Sequence, residues 1–338
     1  MKSAARAKPE GGTTESKPRG FRAWLRRRRW RVTGAVITLL GAVLALSSCN
    51  MPGPKATPEQ IAALARDTLP AQPATAAEKE VPALSYLHSG DPSKPRVIYI
   101  HGTPGDATGW ADFLVDPVMG CESIAVDRLG FGKSGPKGGG GVDSFEMQAK
   151  AIAPLLVKQG GKWPIVVGHS LGGPIAAWIA GAYPDKVSGL VIVAGSLDPD
   201  LEKPGLGQEI ATTDLARFLM PRALDNSMGE LNAAKAQTKL LAPLLEKITC
   251  PVVVIHGTTD ELVPYANVAY IQKMVTHAAS LQVFTIQKQG HFVPWERPEL
   301  IREAVEDLVK PTGAGAAGAA TPSPAPTPSA PSGQGTPK

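Results

Sequence analysis

Gly168-His169-Ser170-Leu171-Gly172 sets a serine midway between two glycines. This G-x-S-x-G spacing suits a nucleophile. A strand that turns sharply into a helix forces the serine at the turn into a strained backbone, and only very small residues fit on either side. The Oγ then stands clear of the sheet, and the N–H groups at the start of the helix face any negative charge that develops there. The flanks supply that context: the apolar run WPIVVGH (163–169) precedes the serine and the helical run PIAAWIAGAYP (174–184) follows it. A serine that merely caps a helix is the plainer reading, and the strand before it argues against that.

A serine nucleophile needs a base to take its proton and an acid to orient the base. Histidines stand at 88, 101, 169, 256, 277 and 291, and only His291 follows the last strand-like run in a glycine-containing loop, KQGHFVPWERPE. Asp260, in VVVIHGTTDELVP, is the acid candidate, with Glu261, Asp198 and Asp200 in reserve. The oxyanion of an acyl-transfer intermediate needs two backbone donors. Leu171 N–H is one, directly after the nucleophile; Thr103 N–H, in the loop HGTPGDATGW (101–110), is the other. His101 is expected to hold that loop by a hydrogen bond. Trp110, Phe113 and Phe131 either line an acyl pocket or pack the core.

The elements that must carry these residues are legible as alternating runs. RVIYI (96–100), ESIAVD (122–127), WPIVVGH, VSGLVIVAG (187–195), PVVVIHG (251–257) and SLQVFTI (280–286) read as strands. FEMQAKAIAPLLVKQ (145–159), with Met147, Ile152, Leu155 and Leu156 on one face, reads as a helix, and RPELIREAVEDLV (297–309) as the closing amphipathic one. Apolar strands alternating with helices imply an α/β fold with a mostly parallel sheet covered on both faces. The stretch 196–248 breaks the rhythm with helical patches and no strand, as an inserted helical lid would.

Several features carry nothing. Gly130, Gly132 and Gly135 fit G-x-G-x-x-G, but PKGGGGVD follows instead of a helix. Gly138 to Gly141 read as a flexible loop. No His, Cys, Asp or Glu cluster has metal-ligand spacing, and no cofactor is expected.

In order along the chain, HGTPG (101–105), DRLGFGKS (127–134), GHSLGG (168–173) and the late Gly290-His291 resemble the α/β-hydrolase superfamily over residues 82–310. The resemblance implies a twisted, mostly parallel sheet flanked by helices, with a short lid inserted before the last two strands. It also implies the triad order Ser170, Asp260, His291. By analogy with that family the expected activity is a carboxylesterase acting on a small apolar ester through an acyl-enzyme. Carbon–carbon bond hydrolysis or perhydrolysis on the same triad, and a non-catalytic envelope binding protein, are the alternatives.

The net charge of +5 is uneven: residues 1–31 hold eleven Lys or Arg against two Glu, which leaves the remainder at −4. The basic balance therefore gives no argument for a nucleic-acid partner. The basic block leads into an uncharged apolar run, Val32 to Leu46, shorter than the ~20 residues a spanning helix needs. It fits the apolar region of a secretory signal over 1–48. Leu46-Ser47-Ser48-Cys49 resembles a bacterial lipobox, which implies lipidation at Cys49 and a protein anchored in the cell envelope, facing the periplasm. An uncleaved inner-membrane anchor is the alternative. Residues 49–81 are expected as a tether and 311–338, rich in Pro, Ala and Gly, as a disordered tail. Cys121 and Cys250 each precede a different strand and are expected as small buried hydrophobes, not a disulfide. The sequence leaves the oligomeric state open.

Overall fold

The computed structural model describes residues 52–76, 79–136, 142–202 and 221–310. The expected signal segment, Cys49, the glycine run 138–141, residues 203–220 of the lid and the tail 311–338 lie outside the described residues. All described residues but Pro52 belong to one compact unit, 53–338.

Eight strands form one sheet in the order β1-β2-β4-β3-β5-β6-β7-β8. They are β1 Ala65–Leu69, β2 Leu84–Gly90, β3 Arg96–Ile100, β4 Glu122–Val126, β5 Ile165–His169, β6 Gly189–Val193, β7 Val252–Gly257 and β8 Leu281–Ile286. From β4 to β8 every pairing is parallel. The six sequence-expected strands are all present. Their Val and Ile runs are buried through the middle of the sheet because helices cover both faces, which leaves no polar side for alternation to mark. Ile98, Ile100, Val166 and Ile192 enter one core layer; Val97, Tyr99, Val167 and Val193 enter the other.

Among the described residues eight α-helices accompany the sheet: α1 Pro58–Ala62, α2 Ala111–Val115, α3 Phe145–Ile152, α4 Gly172–Ala182, α5 Arg222–Leu245, α6 Asn267–Met274, α7 Val293–Glu296 and α8 Pro298–Val309. Ser144 caps α3 by accepting from Met147 N–H at 3.2 Å. That helix stops earlier than its apolar spacing suggests, giving way to a 3-10 turn at Ala153–Leu155, where Pro154 cannot continue the α-helical ladder. α5 is the described helix of the inserted segment. It lies between β6 and β7, as expected of a lid placed before the last two strands.

The tether expectation for 49–81 is corrected over part of its length. Residues 65–69 are an edge strand paired antiparallel with β2, which itself runs antiparallel to β4. Lys55 and Ala56 N–H groups bond the Asp112 carboxylate at 2.9 and 2.7 Å. Arg66 reaches across β2 to Asp127 and to Ser85 Oγ. These polar anchors dock the segment, so its low apolar content hid the docking. Cys121 and Cys250 are free and buried.

Candidate active site

The sharp turn falls where β5 ends and α4 begins. Ser170 sits at φ +54°, a left-handed conformation that side chains rarely adopt. The glycines on either side leave no room for a side chain. A Cβ on Gly168 would lie 2.2 Å from Gly172 O, and one on Gly172 2.3 Å from Ile100 O. Ser170 N–H bonds Val193 O at 3.0 Å, and its own carbonyl accepts from Gly173 N–H at 2.9 Å. α4 has no side-chain cap, so Ser170 Oγ is not engaged as one.

Asp260 lies in the loop after β7 and His291 in the loop after β8, so adjacent parallel strands deliver them to the same edge of the sheet. Asp260 Oδ2 and His291 Nδ1 are 2.8 Å apart. A carboxylate oxygen only accepts, so Nδ1 carries the proton and Nε2 keeps its lone pair, as a base requires. The other oxygen, Oδ1, accepts from Leu262 N–H at 3.0 Å and Val263 N–H at 2.8 Å. Burial works to raise the Asp260 pKa. The bond and charge of His291, the Val263 N–H and nearby His256 outweigh it and hold the carboxyl below its ordinary value. His169, next to the serine, donates Nε2–H to His291 O at 3.0 Å, and the two rings lie 4.8 Å apart. Burial, then the neighbouring His291, push His169 down to about 3, so its ring is neutral.

The loop after β3 runs directly against the serine. A Cβ on Gly102 would stand 2.7 Å from Ser170 Cβ and 3.3 Å from Ser170 Oγ. The Gly102–Thr103 peptide thus borders the nucleophile, where an oxyanion donor is needed.

Comparison with known proteins agrees with this architecture. The family model described as alpha/beta hydrolase fold matches residues 95–222, and that of the prolyl oligopeptidase family matches residues 162–308. The chain has the α/β-hydrolase fold. A 2-hydroxy-6-oxononadienedioate/2-hydroxy-6-oxononatrienedioate hydrolase of Cupriavidus pinatubonensis is 27% identical over 63% of this chain and 86% of its own. A non-heme chloroperoxidase of Streptomyces lividans is 27% identical over 51% of this chain and 77% of its own. The crystal structure of a protein described as an aryl esterase from Burkholderia cenocepacia superposes with a TM-score of 0.57. It is 24% identical, covering 72% of this chain and 98% of that one, a likeness of fold.

Within this fold the DRLGFGKS segment is a brace for the site. Asp127 Oδ1 accepts from Ala107 N–H at 2.8 Å and Oδ2 from Lys133 N–H at 3.0 Å. Gly132, at φ +49°, lies so close that a Cβ would fall 2.2 Å from Asp127 Cγ. His101 does hold its loop: Arg128 N–H bonds Nε2 at 3.1 Å, so Nδ1 carries the proton and donates to Gly102 O at 2.7 Å. Trp110 and Phe113 pack on Tyr99 in the core. Phe131 packs under His101 and the Arg128 guanidinium. His291 pairs with Asp260, while of the reserve acids Glu261 is exposed and Asp198 accepts from Asp200 N–H.

Sequence reasoning missed four residues here. His169 braces His291. His256 donates to Val263 O at 2.9 Å and lies 3.6 Å from Asp260 Oδ2. Arg128 and Glu230 form a buried ion pair, 0% and 2% exposed, linking the loop after β4 to α5. A signal existed for the last pair only in hindsight of the helix phase: Asn226, Ser227 and Glu230 share one face of α5, and all three are buried.

Proposed function

We propose that this chain is a serine hydrolase that cleaves a carboxylic ester through an acyl-enzyme. The observation that carries the reading is the Asp260–His291 bond, with His291 braced by His169 beside the strained Ser170. Ser170 Oγ attacks the ester carbonyl while His291 Nε2 takes its proton. The carbonyl electrons move onto oxygen, and Thr103 and Leu171 N–H groups receive that charge. On collapse the C–O bond breaks and His291 hands its proton to the leaving alcohol. Water, deprotonated by His291, then attacks the acyl-enzyme and releases the acid. Asp260 orients His291 and stabilises its imidazolium. By analogy with other proteins of this fold, the substrate class is a small, mainly apolar ester.

A second reading keeps the same triad for hydrolysis of a carbon–carbon bond. Its support is the hydrolysis of 2-hydroxy-6-oxononadienedioate by relatives such as the Cupriavidus pinatubonensis hydrolase. The chloroperoxidase relative gives perhydrolysis weaker support. The lipobox-like LSSC at 46–49 supports a lipid anchor at Cys49 and a place in the bacterial envelope, facing the periplasm. Loss of fatty-acid labelling in Cys49→Ala tests that placement.

Fluorophosphonate labelling of the wild type beside Ser170→Ala tests the nucleophile. Labelling confined to the wild type supports it; an unlabelled, folded wild type overturns it and favours a binding protein. Turnover of p-nitrophenyl esters against a vinylogous 1,5-diketone then separates ester from carbon–carbon cleavage.

A further inference from the structure

The N-terminal half of the inserted helix is polar where a mere cover would be apolar. Asn226, Ser227 and Glu230 lie on its inward face, each 2% exposed. All three engage the loops after β3 and β4. Asn226 Nδ2 donates to Gly130 O at 2.6 Å. Glu230 receives both ends of the Arg128 guanidinium, with Nη2 at 3.0 Å from Oε2. Glu230 Oε2 also accepts from Thr103 Oγ1 at 2.8 Å. Ser227 Oγ lies 3.0 Å from the same threonine oxygen, but its own hydrogen goes to Ala223 O, so the carboxylate is the stronger acceptor for the Thr103 hydroxyl.

These bonds converge on one peptide unit. Arg128 Nη2 donates to Gly102 O at 2.9 Å, beside the His101 Nδ1–H bond to the same oxygen. The Gly102–Thr103 peptide is planar and trans, so fixing its carbonyl fixes the opposite direction of its N–H. A charged donor on the carbonyl also polarises the amide and makes that N–H a stronger donor. The Glu230 bond holds the next side chain, so the peptide is gripped at both ends. Gly102 meanwhile lies in contact with Ser170.

We propose that Arg128 and Glu230 are positioning residues that fix and polarise the Gly102–Thr103 peptide, so that α5 completes the oxyanion hole instead of only covering it. The proposal rests on the serine-hydrolase reading above. Docking of α5 then arms the site: Glu230 neutralises the buried Arg128, and Arg128 aims the Thr103 N–H. A helix lifted away would leave the nucleophile and its base intact and the oxyanion unsupported.

The test uses the full chain and an alkyl fluorophosphonate, whose phosphoryl oxygen occupies the oxyanion position whatever the natural substrate is. The inactivation rate is split into kinact and Ki. Two sets of variants are compared with the wild type, each with its melting temperature. The double variant Arg128→Met/Glu230→Leu replaces the pair with apolar groups of similar size, a change that buried ion pairs often tolerate. Thr103→Val removes the hydroxyl and Thr103→Ser keeps it. Expected is a fall in kinact of about 10- to 100-fold in the double variant with Ki unchanged. Thr103→Val should fall about tenfold, with recovery in Thr103→Ser. A double variant that folds and inactivates at the wild-type kinact overturns the proposal, and so does a change confined to Ki. Should the double variant fail to fold, equal kinact values for Thr103→Val and Thr103→Ser overturn it. A wild type that takes no label removes the serine-hydrolase reading and this proposal together, whereas a labelled wild type with unaffected variants removes this proposal alone.

Discussion

Asp260–His291 and Arg128–Glu230 are both buried at the carboxyl edge of the same sheet, yet they are held in different ways. The first pair comes from loops that directly follow β7 and β8, and Asp260 is satisfied by N–H groups of its own loop. Its geometry follows from the sheet. The second pair joins the loop after β4 to an insertion 102 residues further on, and it is held by charged side chains with almost no exposure. Its geometry follows from how a helix docks. Removing a member of the first pair should disable chemistry and spare the fold. Removing a member of the second should strike the fold first.

The largest expected effect is on the first pair. In Asp260→Asn the amide oxygen can still accept from Val263 N–H, so the loop should keep its shape. The amide nitrogen then faces His291 Nδ1 and donates to it, which moves the ring proton to Nε2 and removes the base. Acylation should slow by about 10³- to 10⁴-fold, with the melting temperature nearly unchanged. Single-turnover measurement of ester acylation reads this directly; a variant that keeps a tenth of the wild-type rate would show that another acid serves His291.

For the second pair the expectation inverts. Glu230→Leu leaves Arg128 buried without its counter-charge and should cost about 3–5 kcal/mol in urea unfolding. Adding Arg128→Met should recover most of that loss, because the orphaned charge is gone. Equal stability of Glu230→Leu and the wild type would mean that α5 is not docked on Arg128 in solution. Gly102→Ala tests the contact between the two regions. Its Cβ, 2.7 Å from Ser170 Cβ, must push the oxyanion loop away, and a displacement of this kind should lower kcat/KM by about 10²-fold. An alanine variant with wild-type kcat/KM would show that the loop gives way without cost.

The contrast also explains what could be read from the sequence. The central strands were legible because Val and Ile runs buried on both faces have no competing interpretation at that length. Ser170 and Asp260 stood out because each follows such a run within a few residues, and His291 because it lies in the loop after the last strand. β1 and β2 were not: at the edge of the sheet, Arg66, Asp67 and Thr68 look like tether residues, and only the reach of Arg66 to Asp127 reveals the docking. α5 was legible as helix but not in orientation. The first turns of its buried face carry Asn226, Ser227 and Glu230, and Ala234, Leu241 and Leu245 make it apolar only further on, so apolar periodicity marked that face weakly. Arg128 follows an aspartate at a strand end, where a solvated arginine is the ordinary expectation.

The smallest effect concerns His169, which touches the first pair without taking part in the chemistry. Its folded pKa, about 3, lies below the 6.5 it has when unfolded. Between those values the unfolded chain binds a proton that the folded chain refuses. The stability contributed by the neutral ring is therefore complete above pH 6.5 and is lost progressively as the pH falls towards 3. His101 and His256 are also shifted down by burial and add in the same direction. Asp260 does not confuse the window, because its contribution is lost only as the pH falls below its ordinary 3.8. His169→Gln keeps a donor for His291 O and removes the titration. Urea unfolding at pH 5.5 and pH 4.5 should show stability falling less steeply in the variant, by about 1.4 kcal/mol per pH unit. Parallel slopes would mean that His169 takes up its proton in the folded state, and the bond to His291 O would then be made by an imidazolium beside the base it is meant to steady.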